Sequence, residues 1–167
     1  AIGGTQPMSV VIYNKKLDTW GPGAHAGTFR GNQLAMVAGT VVMERLKSPG
    51  FLEDVVRKGD KFRSRMEALK AECPIIGDVR GKGLMLGIEF VDPTGPVDIM
   101  GHPMESGTIC ARVQKECFEN HLVMEKGGRN GSVMRCLTAL NISDEDLETG
   151  ISILEKVVRN INKDYVK

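Results

Sequence analysis

Apolar residues recur along the chain with two different periods, and the period separates helices from strands. From 32 to 47 the run Gln-Leu-Ala-Met-Val-Ala-Gly-Thr-Val-Val-Met-Glu-Arg-Leu is apolar nearly all round. This predicts a helix buried on most of its faces. Ser48-Pro49-Gly50 stops it. From 51 to 72, Leu52, Val55, Val56, Phe62, Met66 and Leu69 fall mostly at three- and four-residue steps, opposite a charged face. That pattern predicts an amphipathic surface helix. A third helix is predicted over 108–120, with Ile109, Val113, Cys117 and Phe118 inward. A last one follows the capping-box-like start Ser143-Asp-Glu-Asp146 and runs to about 162 on Leu147, Ile151, Leu154, Val158 and Ile161. Runs of strand type occupy 8–13, 75–80, 84–91, 121–126 and 132–140. Gly81-Lys-Gly83 and Gly127-Gly-Arg-Asn-Gly131 read as turns, and 14–27 and 92–106 as loops rich in glycine and proline.

From 51 onward the order is helix–strand–strand–helix–strand–strand–helix, a small α/β or α+β domain. Residues 1–50 read as the trailing edge of a larger domain, with the boundary near Pro49. The first residues, Ala-Ile-Gly-Gly-Thr-Gln-Pro, start without Met inside a strand-and-turn pattern. The sequence is therefore read as a piece of a longer protein.

Composition narrows the function classes. Of 167 residues, 41% are apolar and 26% charged, enough to bury a core and too few charges for a disordered tail. Lys plus Arg is 22 against 21 for Asp plus Glu. That balance leaves no basic footprint for nucleic acid or an anionic membrane. No apolar run approaches a membrane span, and the start lacks a signal-peptide pattern. Cys73, Cys110, Cys117 and Cys136 stand far apart. They are expected to be reduced thiols in a cytoplasmic protein.

Gly81-Lys-Gly83-Leu-Met-Leu-Gly87 has a spacing near that of a dinucleotide loop. A strand follows it where a helix N-terminus is required, so it reads as a tight turn. His25, His102 and His121 share no ligand spacing with each other or with the cysteines, and no metal site is expected. His25-Ala-Gly27-Thr28-Phe29-Arg30-Gly31-Asn32 is different, because a glycine-bearing loop presents a hydroxyl and backbone amides just before a helix. Such a loop holds a phosphate through N–H groups, the helix dipole and a Thr donor. Alternatively, Thr28 or Asn32 merely caps the helix. Arg135 shares a strand face with Val133 and Leu137. Buried there, it needs a carboxylate that it can hold in a bidentate fork. On an edge strand it simply faces water.

Together these segments carry a family resemblance. Ala1-Ile-Gly-Gly-Thr-Gln-Pro resembles the stretch directly after the catalytic lysine of class III (ornithine/GABA-type) aminotransferases. Asp18-Thr-Trp-Gly-Pro-Gly-Ala-His-Ala-Gly-Thr-Phe-Arg-Gly-Asn-Gln-Leu-Ala35 is similar to the diaminobutyrate–2-oxoglutarate branch, with Phe29-Arg30-Gly31-Asn32 where many relatives have Phe-Gly-Gly-Asn. Val79-Arg-Gly-Lys-Gly-Leu-Met-Leu-Gly-Ile-Glu-Phe90 resembles the family's C-terminal strand pair. The segment from Gly127 to Leu140 resembles its substrate-arginine segment, with Thr138-Ala139 replacing the usual Pro-Pro.

The resemblance implies the C-terminal part of a fold type I transferase dependent on pyridoxal 5′-phosphate (PLP): 1–50 the tail of the large domain, 51–167 the small α/β domain. It implies that Thr28, with Gly27 beside it, binds the cofactor phosphate of the neighbouring subunit in a homodimer. It also implies that Arg135 grips the carboxylate of 2-oxoglutarate or glutamate. No catalytic residue falls within the chain, because the lysine would precede Ala1. The implied reaction is transamination between glutamate/2-oxoglutarate and aspartate 4-semialdehyde/L-2,4-diaminobutyrate. Another class III substrate (ornithine, acetylornithine or 4-aminobutyrate) and a non-catalytic α/β interaction module remain open beside it.

Overall fold

The computed structural model describes residues 2–166; Ala1, which the resemblance sets directly after the lysine, and Lys167 lie outside the described residues. The chain divides into two compact units, Ala1–Leu52 and Glu53–Lys167.

The first unit is built around helix α1 (Gln33–Leu46). Asn32 caps it: its side-chain oxygen accepts from the amides of Leu34 at 3.0 Å and Ala35 at 3.3 Å. The helix forms as predicted, but its burial does not. Only Ala35 and Gly39 are buried, and Leu34, Val37 and Val41 are each more than half exposed. An apolar face is buried only where another element covers it, and here the cover is the turn at the start of the chain. A Cβ at Gly39 would lie 3.1 Å from the Ile2 carbonyl and 3.3 Å from Met8. The predicted strand over 8–13 is likewise not formed: these residues carry no ladder, and Ile12 is 92% exposed. A strand needs a neighbour to satisfy its amides and carbonyls, and the described residues offer it none. Within the following loop, a single 3-10 turn at Lys15–Leu17 is capped by Asn14. Tyr13, Trp20 and His25 gather at ring-centroid separations of 5.5 and 5.9 Å.

The second unit is a four-stranded antiparallel sheet with three helices. Helix α2 (Phe51–Glu72) has all but its first two residues here. It leads to the hairpin β1 (Ile76–Lys82) and β2 (Met85–Phe90), closed by the two-residue turn Gly83-Leu84. Helix α3 (Gly107–Glu119), β3 (Glu125–Gly127), β4 (Val133–Leu137) and α4 (Asp144–Asn162) follow. The strand order is β1-β2-β4-β3, so β4 lies inside the sheet.

Alternation along β2 and β4 turns Leu86, Ile88, Phe90, Met134 and Cys136 into the core, each 2% exposed or less. Met66 and Leu69 of α2, Ile109 and Val113 of α3, and Leu147, Ile151, Leu154 and Ile161 of α4 complete it. Each large side chain so buried contributes about 1.5–3 kcal/mol. In β1 the register shifts between Ile76 and Asp78, which lets Ile76 and Val79, three apart, both face the core.

Three further expectations are corrected. Phe118, expected inward, is 67% exposed, because Cys117 already occupies the core-facing position one residue back. The strand expected over 121–126 shrinks to Glu125–Gly127. The amides of Asn120, His121 and Leu122 are committed to the last carbonyls of α3, with His121 at φ 65°. The strand expected over 132–140 spans only Val133–Leu137.

Ser143 caps α4 as predicted, accepting from the Asp146 amide at 2.9 Å. Helices α2 and α4 are tied by ion pairs. Arg65 bonds Glu155 at 2.6 Å and Glu148 at 2.8 Å, and Lys61 bonds Glu148 at 2.6 Å. Arg65 and Lys61 pull the Glu148 carboxyl down to about 2, and Arg65 also lowers Glu155.

Candidate functional site

Gly27 and Thr28 stand together in the first unit, and Arg135 stands in the second.

Around Thr28 the chain turns back on itself: the Arg30 amide donates to the Gly27 carbonyl at 3.1 Å. Asn32 supplies the helix cap, which decides between the two cap candidates and leaves Thr28 without that role. The Thr28 hydroxyl and the amides of Thr28 and Phe29 make no hydrogen bond among the described residues. The Arg30 guanidinium folds back onto His25, donating to its carbonyl oxygen and meeting its ring Nε2. In doing so it crosses Gly27 so closely that a Cβ there would sit 3.2 Å from Arg30 Cδ. Gly27, Thr28, Phe29 and Arg30 line a cleft of about 610 Å³, which Pro7, Met8 and Ala35 also border. A hydroxyl, two open amides, a guanidinium and the first turn of α1 converge on it. That donor set fits a phosphate, whose oxygens accept from amides, a hydroxyl and a guanidinium and are favoured at the positive end of a helix. Arg30 and His25 lie in the loop that the sequence singled out, but their contact was not legible there, because only a turn of this shape brings residues five apart together.

Around Arg135 the sequence left burial and an exposed edge open, and neither describes it. Its strand is interior, yet Arg135 is on the sheet face opposite the core, with its side chain 46% exposed. Met134 and Cys136 point the other way, into the core. The register sets Gly87 of β2 on one side of Arg135 and Glu125 of β3 on the other. Arg135 Nη1 donates to Glu125 Oε1 at 3.0 Å. Its Nε and Nη2 have no partner among the described residues. That free edge is the one a carboxylate meets with two parallel hydrogen bonds. Arg135 also borders a cleft of about 490 Å³ whose walls include Phe62, Leu147, Ile151 and Leu154. Glu125 was not identified from the sequence: spacing puts it on one face with Gly127, but the cross-strand register comes only from the fold.

The cysteines take no part in either donor set, although Cys136 lines the cleft beside Arg135. All four are buried and free. Burial pushes the thiols of Cys110 up to about 11 and of Cys117 and Cys136 to about 12. Among the described residues no cluster of His, Cys, Asp or Glu could hold a metal ion. Among the described residues no helix is long and apolar enough to cross a membrane.

Residues 1–158 match the family described as aminotransferase class-III. A diaminobutyrate–2-oxoglutarate aminotransferase of Rhizobium meliloti is 49% identical over 148 residues, covering 89% of this chain and 32% of the relative. One from Haemophilus influenzae is 38% identical over 158 residues, covering 95% and 35%. Among solved structures, acetylornithine aminotransferase from Elizabethkingia anophelis superposes with a TM-score of 0.67 at 28% identity, covering 86% of this chain and 34% of that one. Ornithine aminotransferase from Toxoplasma gondii, crystallized with PLP partially occupying its active site, gives 0.70 at 24% identity and shares the fold, covering 88% and 32%. The chain spans about a third of the length of the curated relatives it matches. With its α/β fold, its sequence and its structural neighbours in agreement, the chain belongs to the class-III aminotransferases.

Proposed function

We propose that this chain is the C-terminal part of a cytoplasmic, homodimeric, PLP-dependent transaminase. The enzyme moves an amino group between glutamate/2-oxoglutarate and aspartate 4-semialdehyde/L-2,4-diaminobutyrate. Residues 1–50 are the tail of its cofactor-binding large domain, and 51–167 are its small domain. The chain's similarity to diaminobutyrate–2-oxoglutarate aminotransferases supports the substrates. The observation that carries the reading is the pair of open donor sets, one at Thr28 and one on the free edge of Arg135.

Thr28, with the backbone at Gly27, would hold the cofactor phosphate of the partner subunit: the hydroxyl and the open amides donate to phosphate oxygens, and Arg30 adds charge beside them. When bound, PLP supplies the electron sink for moving the amino group. Arg135 orients the oxo-acid or glutamate by its carboxylate, through a planar fork that fixes both position and rotation. No residue of this chain is assigned the proton transfer.

The test uses the full-length protein that carries this segment, assayed with diaminobutyrate and 2-oxoglutarate. Arg135→Lys replaces the fork by a point charge, so the KM for 2-oxoglutarate should rise roughly ten- to a hundredfold, the worth of one charge-assisted hydrogen bond. The cofactor absorbance should stay unchanged. Failure to turn over diaminobutyrate discards the substrate assignment. A KM within about twofold of wild type discards the role of Arg135.

A further inference from the structure

The glycine-rich segment that ends β3 and leads to β4, Gly127–Gly131, contains one glycine that the backbone does not require. Gly128 and Gly131 take φ of 72° and 67°, and Asn130 between them takes 54°. These positions lie in the left-handed region, where side chains are strained. Gly127 does not: it is an ordinary β3 residue paired with Val133. What a side chain at Gly127 would meet is Arg135. A Cβ there would lie 3.0 Å from Arg135 Cδ, 3.9 Å from Cγ and 4.0 Å from Nη1, and these are its three nearest contacts.

Two residues back on the same face, Glu125 is the cross-strand partner of Arg135 and binds its Nη1. On the far side the partner is Gly87, which offers no side chain to lean on. Arg135 is therefore drawn toward β3, its stem lying over Gly127 and one end of its guanidinium fastened to Glu125. The Nε–Nη2 edge is left outward and unbonded among the described residues.

We infer that Glu125 and Gly127 are positioning residues for substrate recognition: β3 gives the Arg135 stem a lane at Gly127 and an anchor at Glu125, presetting the fork for a carboxylate. This rests on the reading of Arg135 as the carboxylate grip. A long side chain held before binding loses less freedom on binding, and the part lost per immobilised side chain corresponds to about three- to tenfold in affinity. Glu125 does not compete with the ligand, since it takes Nη1 and leaves the other edge free.

The experiment uses the full-length protein with Gly127→Ala, Glu125→Ala, Glu125→Gln and Arg135→Lys side by side. Steady-state kinetics with varied 2-oxoglutarate are paired with its equilibrium dissociation constant by titration calorimetry. Gly127→Ala and Glu125→Ala should each raise the 2-oxoglutarate KM and dissociation constant about three- to tenfold, with kcat at saturation falling by less. Glu125→Gln keeps an acceptor for Nη1 and should return both to within about twofold of wild type. If Gly127→Ala fails to fold by its melting curve, Glu125→Ala, at an exposed position, carries the test alone. Either alanine variant within about 1.5-fold of wild type, while Arg135→Lys is impaired, overturns the inference. An unimpaired Arg135→Lys overturns the grip itself, and this inference with it.

Discussion

Removing the hydroxyl of Thr28 should separate a cofactor contact from a helix cap, because the structure gives the cap to a different residue. Asn32 already accepts from the amides of Leu34 and Ala35. Thr28→Ala therefore takes nothing from α1, whereas Asn32→Ala strips two bonds from its first turn. The second change should cost about 1 kcal/mol of stability, within the usual 0.5–2 for a lost N-cap. The first should leave the melting temperature in place. At the cofactor the order reverses. A hydroxyl donating to a phosphate dianion is a charge-assisted bond worth about 1.5–3 kcal/mol, or roughly ten- to a hundredfold in dissociation constant. Thr28 is exposed and the neighbouring amides remain, so the lower end is expected. The assay is equilibrium titration of the full-length apoprotein with PLP, read by absorbance, beside thermal unfolding of both variants. If the phosphate is held across a subunit interface, the deficit should grow as the protein is diluted. A dissociation constant within twofold of wild type for Thr28→Ala refutes the phosphate role, whatever Asn32→Ala does.

Gly59→Ala in α2 would ordinarily stabilise a helix by up to about 1 kcal/mol. Here its Cβ would fall 2.4 Å from the carbonyl carbon and oxygen of Gly83, backbone that cannot rotate away. The overpacking cost of about 1–3 kcal/mol should win, lowering the melting temperature by several degrees; a raised melting temperature would show that α2 does not approach the hairpin so closely. Acid should weaken the α2–α4 junction. Glu148, held at about 2 by Arg65 and Lys61, and the lowered Glu155 stabilise the fold fully above the ordinary carboxylate value near 4.5. That stability drains as the pH falls from there toward 2, and Arg65→Met should flatten the loss in melts across this range; an equally steep loss in the variant sinks the assignment. The thiols of Cys110, Cys117 and Cys136, raised to about 11–12 by burial, should resist an aromatic disulfide reagent at pH 8 and react fully in denaturant. Rapid labelling of the native chain would contradict that burial.

The elements with a periodic apolar stripe were legible in the sequence. The α2 boundaries, the Ser143 cap and the core set Leu147, Ile151, Leu154, Val158 and Ile161 follow from spacing, because such a helix carries its own cap and its own core-facing side. The hairpin of β1 and β2 was legible because its partners are adjacent, but its turn falls at Gly83-Leu84 and not at Gly81-Lys-Gly83, since Gly81 and Lys82 pair with Leu86 and Met85. Thr28, Gly27 and Arg135 could be singled out as polar groups in unusual settings, but their environments could not. Which of Thr28 and Asn32 caps α1 depends on the turn at 27–30, and a hydroxyl is free only once another group has taken the amides. Whether Arg135 is buried, at an edge or on an open face depends on the order β1-β2-β4-β3, which no local pattern encodes. Two of the misread segments share one cause. The run at 8–13 and the helix over 32–47 are apolar enough to be strand and buried core, but apolarity states only what a segment would bury, and another part of the structure decides whether it does. The sequence by itself determined the period, the Ser143 cap and the chemical character of the candidate site. The tertiary structure alone decided register, cover and the free edge of Arg135, because each is a relation between segments distant in the chain.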